Sequence, residues 1–142
     1  MRLALRAAAE AGARGDVPVG AVALHDDSVL AICGNARQRD GDPTAHAEML
    51  VVREAARQAH SWHLEGVTVV VTLEPCAMCA GSLVAARVGR LVYGAQDPKA
   101  GAAGSLYNLC VDPRLNHEVE VTSGVLAEEC AELLRSFFAS RR

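Results

Sequence analysis

Two short segments hold the residues best suited to chemistry. They are Pro43-Thr44-Ala45-His46-Ala47-Glu48 and Glu74-Pro75-Cys76-Ala77-Met78-Cys79. Cysteines three positions apart on a helix share a face, so Cys76 and Cys79 can bind one ion together. Both segments sit at predicted helix starts, where free N–H groups and the helix dipole favour thiolates and an ionised Glu48. By itself the Cys76–Cys79 pair fits redox chemistry, a structural zinc or chance spacing. Joined to His46 on an earlier helix, it makes a three-ligand zinc site, one ion per chain, with one tetrahedral position left open. Structural sites are closed by a fourth protein ligand, whereas catalytic sites keep an open position. Two thiolates cancel the charge of the ion, so a bound water is acidified less than at an all-histidine site and a nearby base is needed. Glu48, two residues from His46, can lie beside the open position without being a ligand. A base there takes a water proton and returns it to a ring nitrogen or a departing amine, which is hydrolytic deamination of an amidine-like carbon.

The remaining chain must bring these segments together. Residues 1–13 read as a helix, ended by Gly15-Asp16-Val17-Pro18. Runs at 19–24 and 29–33 read as a hairpin turning at His25-Asp26-Asp27-Ser28, and 34–43 as a polar loop. A helix over 44–60 carries Met49, Val52, Ala56 and Ala59 as its apolar positions. Val67–Thr72 is a β-branched run suited to a central strand covered on both faces. Pro75 opens a helix through Arg87, and Leu91–Tyr93 is a strand. The Gly-rich stretch 96–116 reads as a functional loop or one holding a short helix. A short strand at 119–121 and a terminal helix over 125–142 close the chain. The order implies one α/β domain spanning 1–142, with about five strands in a central sheet and helices on both faces.

Composition narrows the function classes. Fourteen basic and seventeen acidic residues leave a net charge of −3, which excludes a protein that holds nucleic acid by diffuse charge. The positive charge is unevenly placed: Arg37 and Arg39 precede the zinc helix, and Arg135, Arg141 and Arg142 fall near the end. If RNA is the substrate, both groups belong on the rim of the active site. No apolar run reaches the ~18 residues of a membrane span. Arg6 and Glu10 interrupt the start before a signal-peptide core develops. Five cysteines with a single close pair do not form a secreted disulfide framework, so a reducing cytoplasm is expected.

The pattern H-x-E followed by P-C-x-x-C is the signature of zinc deaminases, with the glutamate as general acid/base. Across nearly its whole length the chain is similar to one branch, the bacterial tRNA-specific adenosine deaminases. The similarity runs through Val17–Val22, Asp42–Glu48 and Val71–Gly81. It continues through Tyr93-Gly94-Ala95, Asp97–Leu106, Asn116-His117 and Leu133-Leu134 with Phe137-Phe138. The resemblance implies a three-layer α/β/α cytidine-deaminase-like fold and a homodimer with each active site near the subunit interface. It also implies conversion of wobble adenosine to inosine in the anticodon stem-loop of an arginine tRNA. On it, His46, Cys76 and Cys79 are zinc ligands, Glu48 is the proton shuttle, and Asn35 contacts the flipped base. Ala47 joins the substrate-binding positions, and Asp97 lies in a loop touching the RNA backbone. Members of the family often have several more residues before the first helix, and some carry arginine where this chain has Gln96. Two other readings stay open: deamination of a free cytosine- or guanine-type base or nucleoside, and a noncatalytic zinc-stabilised scaffold.

Simpler roles compete at several positions. Asn35 and Asp97 can serve turn geometry. His25, His60, His63 and His117 read as solvated or structural, Cys33, Cys110 and Cys130 as small core residues, and Trp62 as packing over a helix end. On the last helix, Leu126, Cys130, Leu133 and Phe137 share the expected buried face, and Phe138 lies at its edge. With Arg141 and Arg142 following, Phe138 is placed to stack on a loop base, with Arg142 holding phosphate; the competing role is packing on the first helix or the dimer partner.

Overall fold

The β-branched run at the middle of the chain does form the centre of the sheet. In the computed structural model, which describes residues 1–142, β3 (Val67–Leu73) lies third in a five-stranded sheet. The other strands are β1 (Gly20–His25), β2 (Ser28–Gly34), β4 (Arg90–Ala95) and β5 (Glu120–Thr122), in the order β2-β1-β3-β4-β5. β1 runs antiparallel to β2 and β3, while β4 and β5 run parallel to β3. The sheet is therefore mixed, and β3 divides its antiparallel half from its parallel half. Val67, Val69 and Val71 enter the main core on one face, and Val70 joins Ala4 and Val22 on the other.

Five helices complete the chain: α1 (Arg2–Ala13), α2 (Arg37–Asp40), α3 (Ala47–Ala59), α4 (Ala77–Ala85) and α5 (Ala127–Ala139). α1 packs on β1, β2 and β3, and touches α5, which covers β4; α3 packs on β1 and β2 and meets α4. This gives the expected three layers.

α1 sits close to the sheet because it buries only alanines, Ala4, Ala7, Ala8 and Ala11, over two glycines that face each other across β1 and β2. A Cβ on Gly20 would collide with the Ala4 carbonyl and the Ala8 amide, and one on Gly34 with the Ala7 carbonyl. Backbone cannot yield as a flexible side chain does. Gly20→Ala is therefore expected to cost about 1–3 kcal/mol or more, the range for overpacked cores, read as a lowered midpoint in denaturant with zinc content unchanged. An unchanged midpoint would mean that α1 can lift off the sheet freely.

Several expectations change. The loop at 34–43 contains α2, whose N-terminus is held by the buried Asp16: its carboxylate accepts from the Gln38 and Arg39 amides at 2.7 and 3.2 Å. The buried stripe of α3 is Ala47, Glu48, Val51 and Ala55, one position off the apolar set of Met49, Val52, Ala56 and Ala59. The site needs Glu48 inside, and small alanines let the helix turn it there. α4 begins after Cys76, which leaves Pro75 in the extended lead-in. The 96–116 stretch holds no helix. Trp62 does not pack over a helix end; it is 60% exposed and lies against His63. Cys33 is half-buried, whereas Cys110 and Cys130 are in the core. On α5 it is Leu134, more than Leu133, that meets the main core.

Candidate active site

His46 and Cys76 occupy the N-cap positions of α3 and α4. Ser, Thr, Asp or Asn usually stands there and bonds back to the helix. Neither residue does so, which leaves both side chains free to turn toward each other. Because the two helices touch on one face of the sheet, their first turns meet beyond the end of β3. The His46 Nδ1 lies 3.7 Å from Cys76 Sγ and 3.5 Å from Cys79 Sγ.

These distances test the fit to zinc. With Zn–S near 2.3 Å and Zn–N near 2.05 Å, tetrahedral angles require an S···N separation of about 3.6 Å. His46, Cys76 and Cys79 satisfy that, with all ligand atoms within 4.8 Å of one another. The electrostatics agree. The Cys76 thiol is brought down to about 3 by the Cys79 S–H and by His46, against its burial. Cys79, whose proton is held toward Cys76, is pushed up. The two sulfurs thus share one proton, carried on Cys79, and a metal held there would have to displace it.

Glu48 is 4% exposed and sits in the first turn of α3. Burial pushes its carboxyl up to about 7 against the lowering effects of its own backbone and of His46. A carboxylate held near neutrality is matched to both taking and returning a proton.

Asn35 is 6% exposed, and its side-chain oxygen accepts from the Ala47 N–H at 3.0 Å. That satisfies one of the orphan donors at the start of α3, and Asn35 also lines an adjoining cleft. Ala47 itself is fully buried, and its N–H holds the Asn35 side chain. Asp97 performs the turn role: its carboxylate accepts from the Lys99 and Ala100 amides at 3.0 and 3.2 Å.

The cleft beside Asn35 measures about 490 Å³ and draws Arg37 and Gln38 from α2, Asp16 and Val17 from the preceding turn, and Phe137 and Arg141 from the chain end. The two arginine-bearing segments do converge, but through one residue each. Arg39 is paired with Asp40, and Arg135 with Glu128 and Glu132. Arg141 lies over the Phe137 ring at 3.9 Å and lines the cleft, whereas Arg142 is exposed outside it. Phe138 is 49% exposed and meets Phe137 edge to face.

Residues 1–95 match the family model of the cytidine and deoxycytidylate deaminase zinc-binding region. A tRNA-specific adenosine deaminase of Bacillus subtilis is 47% identical over 142 residues, covering 100% of this chain and 88% of its own length. Its counterpart in Agrobacterium fabrum is 46% identical over 142 residues, covering 100% and 93%. The chain belongs to the tRNA-specific adenosine deaminase family. A solved tRNA:A34 deaminase, studied for A-to-I editing at the wobble position of transfer RNA, matches this deaminase at a TM-score of 0.91 and 46% identity. That match covers 94% of this chain and 97% of the other. The guanine deaminase of Bacillus subtilis matches at 0.67 and 28%, over 99% and 90%. The fold is thus shared with a free-base deaminase, while identity is higher toward the tRNA enzymes. Like its family, the deaminase is a zinc-dependent hydrolase, and His46, Cys76 and Cys79 form the group that could hold the ion.

Two further carboxylates near the site, Asp16 and Glu74, have roles that residue type and spacing do not signal. Each is a carboxylate beside apolar or turn residues, and only the amides that the fold brings to it reveal its function.

Proposed function

We propose that this deaminase converts adenosine to inosine at the wobble position of a tRNA anticodon, that of an arginine tRNA. It would act in the cytoplasm as a homodimer, with the whole of 1–142 as one catalytic domain. No helix is long and apolar enough to cross a membrane. The observation that carries this reading is the buried Glu48 in the same first turn of α3 that carries His46 of the His46, Cys76 and Cys79 group; Asn35, bonded to the Ala47 amide between them, also lines a cleft with the guanidiniums of Arg37 and Arg141.

Zinc held by His46, Cys76 and Cys79 would supply the Lewis acidity that brings a water toward ionisation at neutral pH. Glu48 takes one proton from the attacking water as oxygen bonds to C6 of the flipped adenine. It delivers that proton to N1, then carries the proton of the new C6 hydroxyl to the amine, so that the C6–N bond breaks, ammonia leaves and the C6 carbonyl of inosine forms. Asn35 holds the base through its free NH₂, and burial of Glu48 keeps bulk water from exchanging its proton. Arg37 and Arg141 face the flanking phosphates, and the exposed ring of Phe138 is a platform for a neighbouring loop base.

Incubation with an anticodon stem-loop and, separately, with free guanine, cytosine and adenine tests this reading by mass. The expected result is a gain of about 1 Da at one adenosine of the RNA and none on the free bases. Turnover of a free base alone would favour the reading suggested by the guanine deaminase match. No turnover of either at full zinc occupancy would favour a noncatalytic scaffold.

A further inference from the structure

Glu74 is 2% exposed, yet it carries a carboxylate at the end of the central strand, two residues before Cys76. No cation pairs with it. Its four acceptor contacts all come from one loop: the Asp97 amide at 2.9 Å and the Ser105 hydroxyl at 2.5 Å on Oε2, the Ala103 amide at 3.2 Å and the Ser105 amide at 2.9 Å on Oε1. Although burial opposes ionisation, these donors hold the carboxyl below its ordinary value. The same loop is laced to the lead-in of α4. Gly101 bridges the Cys76 backbone, and the Ala102 amide donates to the Pro75 carbonyl at 2.8 Å. Gly101 leaves no room for a side chain, since a Cβ there would run into the Glu74 carboxylate and the Asp97 carbonyl.

We propose that Glu74 is a positioning residue for deamination: it gathers residues 97–105 around one carboxylate and clamps them on the backbone of Cys76, making that loop a fixed wall of the substrate site. A loop of this length without a helix would otherwise sample many conformations, and ordering it at the moment of binding would weaken substrate affinity. A carboxylate suits the task because every facing group is a donor; an amide would present its NH₂ to at least one of them. The wall's part in binding RNA rests on the function proposed above, whereas the clamp itself does not.

Glu74→Gln and Ser105→Ala test it, the second removing one donor from an exposed position so that folding is spared. On an anticodon stem-loop both should raise KM, by about tenfold for Glu74→Gln, with kcat within about threefold and one zinc retained per chain. A merely structural defect would lower zinc content and active fraction and leave KM alone; that result, or unchanged kinetics, overturns the proposal. Amide hydrogen exchange at Asp97, Ala103 and Ser105, measured without substrate, keeps the clamp testable should the wild type fail to process RNA. Faster exchange at these amides in either variant supports it, and unchanged protection overturns it. If Glu74→Gln does not fold, Ser105→Ala alone decides by the same readings.

Discussion

Replacing Glu48 with alanine should leave zinc in place and lower kcat by on the order of 10²–10⁴, the usual worth of a positioned general acid/base. Three features set that magnitude. Glu48 is buried against Cys79, so no solvent base can take its place. Its carboxyl is brought near neutrality by burial, so one group can serve in both proton transfers. It is not one of the three ligand side chains, so its removal leaves the His46, Cys76 and Cys79 set complete. Stability should not collapse, because the variant removes a desolvated carboxylate along with its packing. Glu48→Gln, which keeps the shape and removes the base, should lose activity to a similar degree. Near-normal turnover in either variant, with one zinc per chain, would remove Glu48 from the mechanism.

Removing a zinc ligand should be more severe. Cys79→Ala leaves two ligands around the ion, and turnover should fall to background with zinc lost on dialysis. Cys79 is completely buried and anchors the first turn of α4, so the loss extends to stability. A ligand that binds only the native state stabilises it by RT ln(1 + [L]/Kd), about 4 kcal/mol when the ion is a thousandfold above its Kd. Wild-type protein should therefore melt lower in a strong chelator and recover with added zinc. The melting temperature of Cys79→Ala should be indifferent to both. Full activity in the chelator-stripped wild type, or zinc retained stoichiometrically by Cys79→Ala, would refute the assignment of these ligands.

Much of this is legible in the sequence alone. His46, Glu48, Cys76 and Cys79 announce themselves because metal ligands and a base at fixed offsets are chemically scarce. The strand at 67–73 is legible because a run of β-branched residues has few other uses. The face of α3 was not: its apolar residues are mostly alanines, which a helix can bury or expose at little cost, so periodicity leaves the rotation free by one position. Contact with the sheet chose the face that buries Glu48. α2 was hidden for a similar reason, since its start is held by Asp16, some twenty residues earlier, and not by a local cap.

The sequence by itself pointed to the candidate ligand set and to Glu48 as the proposed base, and determined the α/β class and the family, because each depends on residue type and short-range spacing. Tertiary structure decided the rest. It singled out Arg37 and Arg141 as the guanidiniums free to face the cleft, because Arg39 and Arg135 are neutralised by neighbouring carboxylates. It joined Ala47 to Asn35 through the Ala47 amide, and gave Asp97 a turn to hold. It also gathered four donors from a single loop onto Glu74. The reason is the same in each case. A charged or polar group acts on whatever faces it, and between residues tens of positions apart in the chain, only the packed fold fixes what that is.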